Sequence, residues 1–257
     1  MKFSLCFLLL LALCSFQALA APKLNDVSQT DIDNISKEFS ANFIHTGVTP
    51  ASSLGKIWGI EVGTIAGITE TPKLKALVKR VDPTVNIGII PHAGIFLSGS
   101  VPYGITMELK HLPEIAVSGI KVKNTSGAIK WTVTDVFFDK LPLTLAVKGH
   151  YSVGELSYGQ KINNSSTANI DVDSTITFKN KIWGAMLLAS RTFFFIEPFA
   201  GIGFVKSTAD TTVSAVGTAA TIFNTTLSSS SAQAASSKPS CVNMLAGFQF
   251  NIYVIHF

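Results

Sequence analysis

His150, Tyr151 and Ser152 form a short run whose first and third members carry the functional groups of nucleophilic catalysis. Residues two apart on a β-strand share a face, so the His150 imidazole could take the Ser152 proton while Glu155 or another acid orients the ring. The same alternation also supplies a plainer reading. His150 and Ser152 fall on one face with Thr144 and Lys148, opposite Leu143, Leu145, Val147 and Tyr151. That makes them part of a polar face, and an ordinary polar interior is the favoured expectation. No other catalytic or cofactor-binding pattern stands out. His45, His92, His111 and His256 are scattered, without metal-ligand spacing to Cys or to a carboxylate. Gly201-Ile202-Gly203 lies in a strand pattern with no helix after it, so it is not a phosphate loop. No metal and no cofactor is expected.

The elements that would position these side chains show a period of two. Trp58, Ile60 and Val62 alternate with Gly59, Glu61 and Gly63, and Tyr103, Ile105, Met107 and Leu109 with Gly104, Thr106, Glu108 and Lys110. Ile129, Trp131 and Val133 alternate with Lys130, Thr132 and Thr134. The apolar face is set against a polar set of Glu61, Glu108, Lys110, Lys130, Lys148 and His150, with Glu197 as a further member. If that set lines an enclosed lumen, its charges must pair or meet water, because an unpaired buried charge costs several kcal/mol. Glycines on the same face would leave room for other side chains. The alternation predicts strands near 56–69, 85–99, 103–111, 126–137, 141–153, 181–190, 194–206 and 242–256. Short links at Ser100–Pro102, Phe138–Lys140 and Ser190–Phe193 then alternate with long ones at 70–84, 112–125, 154–180 and 207–241. Tight turns at one end and long loops at the other suit an antiparallel transmembrane barrel of about eight to ten strands.

The first residues bear on the compartment. Lys2, the apolar run Phe3–Leu13 and Ala18-Leu19-Ala20 read as a signal peptide over 1–20, cleaved before Ala21; an uncleaved anchor is the alternative. Leu13 ahead of Cys14 argues against lipidation. Cleavage would leave Cys241 as the one thiol, so no disulfide framework is expected. Residues 21–55 form an N-terminal helical segment. Thr30-Asp31 reads as a helix start, and Ile32, Ile35, Phe39 and Phe43 share one face of a short amphipathic helix that would act as a packing cap, a plug or a latch. The barrel is placed at 56–257. Mean hydropathy is +0.39 and charged residues are 14%, yet no later run is long enough to span a membrane as a helix. That leaves a packed soluble β protein or a barrel with its apolar residues turned outward. The net charge of +4 is too mild to imply nucleic acid.

Two of the long links carry further signals. Residues 207–241, rich in Ser, Thr and Ala, read as a mobile surface loop. Thr71-Pro72 through Arg80 reads as a helix whose Lys73, Lys75, Lys79 and Arg80 would meet solvent or lipopolysaccharide phosphates. At the C-terminus, Tyr253, Ile255 and Phe257 form an alternating pattern of the kind the barrel assembly machinery recognises, although Phe248, Phe250, Ile252 and Val254 make the opposite face equally apolar.

Several stretches resemble an uncharacterised family of Gram-negative outer-membrane barrel proteins, a domain of unknown function. They are Ser40-Ala41-Asn42-Phe43, Pro50-Ala51-Ser52-Ser53-Leu54-Gly55, Pro91-His92-Ala93-Gly94, Pro102-Tyr103-Gly104-Ile105-Thr106 and Asn124-Thr125-Ser126. Lys130-Trp131-Thr132-Val133-Thr134-Asp135, Gly149-His150-Tyr151-Ser152 and Glu197-Pro198-Phe199 follow in order. The resemblance covers most of the chain after the signal. It implies location in the bacterial outer membrane and a barrel fold, and no activity. The family continues with further β sequence beyond the part matching 242–250, which leaves the strand count open. His150-Tyr151-Ser152 separately resembles the His-x-Ser motif of lipid A deacylases, small barrels that present their triad toward lipid, whereas this pair is expected to point inward. The function expected is therefore non-enzymatic: passive transport, small-ligand binding or an envelope structural role. A small apolar solute is one candidate, by analogy with fatty-acid barrel transporters. The competing readings are a lipid-modifying hydrolase using His150 and Ser152, and a soluble exported β-sandwich that binds lipid.

Overall fold

The computed structural model describes residues 29–45, 47–55, 58–81, 89–117, 120–137, 141–164, 170–220 and 226–250. The signal sequence expected at 1–20, the turn Phe138–Lys140 and the terminal pattern from residue 251 to Phe257 lie outside the described residues. The chain is all-β with a few short helices. In order it forms α1 (Gln29–Phe43), β1 (Gly59–Glu70), α2 (Pro72–Val81), β2 (Ile89–Val101), β3 (Ile105–Val117) and β4 (Ile120–Thr132). There follow α3 (Thr134–Phe137), β5 (Thr144–Asn164), β6 (Ile170–Ser190), β7 (Ile196–Ala220), β8 (Thr226–Ser237) and β9 (Ser240–Phe250).

The strands form a single antiparallel sheet in the order β1 to β8, curled into a half-barrel. β9 also pairs with β7, below β8, so β8 and β9 share the side of β7 away from β6. The break between them falls at Lys238-Pro239, where proline has no amide to give the ladder; Ser207 N still bonds Pro239 O at 2.9 Å.

Three of the expected long links are mostly strand. β3 and β4 reach to Val117 and back from Ile120, β5 and β6 to Asn164 and back from Ile170, and β7 and β8 to Ala220 and back from Thr226. The helix expected after Thr71 is α2, and Glu38 of α1 caps it. The Glu38 carboxylate accepts from Lys73 N at 2.7 Å and Leu74 N at 2.9 Å, two amides of a first turn that have no partner inside the helix.

Register places whole rows of side chains on one face or the other. Met107, Ile129, Gly149, Ala185, Phe204 and Val242 are successive partners across β3, β4, β5, β6, β7 and β9. The large members of this row lie outward and exposed, Ile129 by 60%. The adjacent outward row of Trp131, Val147, Leu187, Ile202 and Met244 is apolar too. Inward, the partners Thr106, Lys130 and Lys148 are buried, as is Glu108. Toward the far end of the same strands the outward row becomes Lys123, Glu155, Lys179 and Asp210, with Lys123 Nζ 3.0 Å from Glu155 Oε2. There the inward side is apolar. Ile35, Phe39 and Phe43 of α1 pack on Leu156, Ile182 and Val205, with Val122 and Phe178 beside them. The apolar face expected for α1 is thus buried at Ile35, Phe39 and Phe43, where it stops one end of the curled sheet.

Candidate functional site in the polar interior

Past Phe43 the chain does not leave the sheet. Residues 44–55 run along its concave face, beside β4 and in the same direction. Asn124 Nδ2 of β4 and Ser152 Oγ of β5 both donate to Phe43 O, the first at 3.2 Å. Further along, Lys148 Nζ donates to Gly47 O, and Lys130 Nζ to Pro50 O at 2.7 Å and Ser52 O at 2.8 Å. Thr132 Oγ1 donates to Ala51 O at 2.7 Å. At the lower end Ala51 N donates to Ser190 Oγ, Ser52 Oγ to Glu197 Oε2 at 3.0 Å, and Leu54 N to Ser100 Oγ at 3.0 Å. A segment outside helix and sheet carries a carbonyl at every residue and an amide at every residue but proline, and inside a protein each needs a partner. Here the strands supply those partners with inward side chains.

The centre is built on Glu108. Its carboxylate accepts from His45 Nε2 at 3.0 Å, from Thr49 Oγ1 at 2.6 Å and from Lys148 Nζ, and its side chain is fully buried. A carboxylate only accepts, so His45 donates from Nε2, and Nδ1 takes the Ser126 hydroxyl proton at 2.8 Å. Burial holds the His45 imidazole below its usual pKa, against the pull of its Glu108 hydrogen bond. The pair Glu108–Lys148 is therefore a compensated charge pair in which the remaining contacts are satisfied as well, the condition a buried ion pair needs.

Two glycines make the threading possible. A Cβ on Gly47 would stand 2.4 Å from His45 Nε2 and 2.5 Å from Glu108 Oε2, in the middle of their hydrogen bond. A Cβ on Gly154 would stand 2.4 Å from the Phe43 ring.

The residues singled out for an interior polar set come together unevenly. Glu108, Lys130 and Lys148 converge on residues 45–52, and Lys110 is buried on the same face. Glu61 is half-buried on β1. Glu197 is buried and accepts from Ser190 Oγ at 2.6 Å as well as from Ser52. His150 and Ser152 both face inward. Ser152 Oγ gives its proton to Phe43 O, and His150 Nε2 has no hydrogen-bond partner among the described residues. The His150 ring lies instead 6.3 Å from that of His45. Among the described residues no hydrogen bond joins His150 Nε2 to Ser152.

The side chains of His45, Thr49 and Ser52 belong to the site although no pattern announced them. The cue was available: the stretch from Phe43 to Ser52 has no charge other than a histidine and no periodicity, yet joins two strongly patterned regions.

No curated protein and no solved structure matches the chain. A family model does match residues 49–257, from the lower part of the threaded segment through every strand of the sheet, and the chain belongs to that family, DUF6588, a family of unknown function.

Proposed function

We propose that this protein is a non-enzymatic β-barrel of the bacterial outer membrane, stoppered by its own N-terminal segment, through which a small solute binds or passes. One observation carries the reading. The outward rows from Ile60 through Ile129 to Phe204 leave large apolar side chains exposed, while the inward rows carry buried Lys, Glu, Ser and Thr beside a small apolar cluster of Ala146, Met186 and Leu188. In water each exposed apolar side chain forgoes about 1.5–3 kcal/mol of burial, so a soluble β-sandwich with this sheet would bury the wrong face. In a bilayer the same arrangement is the favourable one. The outward face of β5 is apolar from Leu145 to Val153, bounded by Glu155, and has about the length an inclined strand needs to cross hydrocarbon.

Closure of the sheet into a complete ring is part of the proposal, since open strand edges are not tolerated in lipid. The charged row Lys123–Glu155–Lys179–Asp210 would then mark the outer boundary, with α2 and the long hairpins beyond it. Lys73 and Lys79 of α2 are exposed and in this reading would meet lipopolysaccharide phosphates, and insertion would depend on the barrel assembly machinery. The hydrogen bond from Ser152 to Phe43 O supports a structural role for that serine over a hydrolytic one. The polar interior likewise favours a polar solute over an apolar one.

Fractionation tests this reading. The full-length protein should sediment with outer membranes, resist alkaline carbonate and need detergent for release. Recovery in the soluble periplasmic fraction would contradict it.

A further inference from the structure

Five backbone carbonyls between Phe43 and Ser52 accept hydrogen bonds from five side chains, and all five donors come from two adjacent strands. Asn124, Lys130 and Thr132 belong to β4, and Lys148 and Ser152 to β5. To this wall the segment presents these five carbonyl oxygens, the Thr49 hydroxyl and one imidazole nitrogen, His45 Nδ1 against Ser126. Its own side chains over these residues include no acid. Lys148 is compensated by Glu108, which belongs to β3 and stays if the segment leaves. Lys130 is different. Its ammonium is 1% exposed, and its hydrogen-bond partners among the described residues are the neutral oxygens of Thr49, Pro50 and Ser52. A full positive charge is thus held by partial negative ones, and an anionic oxygen makes the stronger hydrogen bond to such a donor.

We propose that residues 43–52 occupy, as a built-in stand-in, a track on β4 and β5 that binds a small oxygen-rich anion, a carboxylate or a phosphate, with Lys130 as its principal charge. This rests on the conduit reading above and names the solute class for it. When the segment withdraws, five donor side chains, one of them an ammonium without a carboxylate contact, are left facing the lumen. A solute whose oxygens replace the carbonyls restores those bonds and adds the missing negative charge. A hydrocarbon would leave every donor unpaired, at about 1–3 kcal/mol each. A cation would meet Lys130 directly.

The full-length protein in planar phosphatidylcholine bilayers under a potassium chloride gradient tests this, with inorganic phosphate as the probe. The expected result is a reversal potential on the chloride side, and a current that falls as phosphate is added. Lys130→Gln should bring the two ions toward equal permeability and weaken the phosphate block at least several-fold, while Lys130→Arg keeps both. If Lys130→Gln does not fold, the sign of the wild-type reversal potential and the wild-type phosphate block decide alone. Potassium preference, or current indifferent to phosphate, would overturn the anion track and leave the conduit standing. Silence at every voltage would remove the conduit itself, and this inference with it.

Discussion

The two ends of the same strands are packed in opposite senses. Around Ile129 and Val147 the sheet is apolar outside and polar inside, with Lys130, Lys148 and Glu108 turned toward the threaded segment. Some six residues further along β4, at Lys123, the outer row is charged, and the inner side is a small apolar core where Phe39 and Phe43 meet Leu156. The second arrangement is how any protein packs in water. The first is its inverse. Because β4, β5, β6 and β7 are continuous through both, the difference cannot come from strand propensity or topology. On the proposed reading it follows from what lies outside each part, since a sheet emerging from hydrocarbon into water would have this form.

Substitutions can break that contrast at either end. The largest effect is expected in the inverted interior. Glu108→Ala would strand the buried Lys148 ammonium and leave His45 Nε2 and Thr49 without their acceptor, costing about 3–5 kcal/mol as for other broken buried pairs. Urea titration of protein folded into liposomes would read it, and a loss under 1 kcal/mol would show that water reaches the site. Next comes Ile129→Arg on the outer face. A cation facing mid-bilayer costs about 2–4 kcal/mol, whereas Thr212→Arg, outward on β7 beyond the charged row, should leave the same titration unchanged. Equal effects at the two positions would erase the contrast. Lys123→Ala should be nearly silent, since its pair with Glu155 is solvent-exposed.

The smallest expected effect is of pH on the threaded segment. The docked His45 has a pKa below its ordinary 6.5, so the released segment binds the proton more readily than the docked one. Docking is at full strength above that ordinary value and weakens as pH falls through the lower docked one. Hydrogen exchange at the Ala51 and Leu54 amides, corrected for the intrinsic rate, should quicken between pH 7.5 and 5, conditions chosen to bracket that change (roughly one pH unit or more either side of the usual imidazole value). An unchanged rate would mean His45 does not report on docking.

Much of the lower sheet was legible in the sequence. Where one face is apolar and exposed and the other largely polar and buried, as in Tyr103–Lys110 or Leu143–Ser152, hydrophobicity alternates along the strand and fixes both strand and face. The long hairpins read as loops for two different reasons. In 207–241 both faces carry Ser, Thr or Ala, so the alternation fades, although cross-strand partners such as Lys179 and Asp210 sit in register. In 154–180 an alternation is present, with Leu156, Ile170, Val172, Ile176 and Phe178 set against Glu155, Asp171, Asp173, Thr175 and Thr177, but the run Asn163–Ala168 interrupts it and the opposite face is charged, which reads as a solvated link. The amphipathic face of α1 was readable at Ile35, Phe39 and Phe43. The path of residues 44–55 was hidden for a further reason. Their contacts are made largely by backbone carbonyls, which every residue has, and patterns of side chains cannot record them. No side-chain pattern marks residues of the same chain as the partners of Glu108, Lys130 and Lys148.

Thiol accessibility in reconstituted liposomes tests the central contrast most directly. With Cys241 replaced by Ser, single cysteines at Ile129 and Lys179 would be challenged with a membrane-impermeant thiol reagent and, once carrying a fluorophore, with lipid-borne quenchers. The account predicts that position 129 resists the reagent and is quenched from within the bilayer, while position 179 labels readily and is not. Equal labelling of the two, with no quenching at 129, would contradict it.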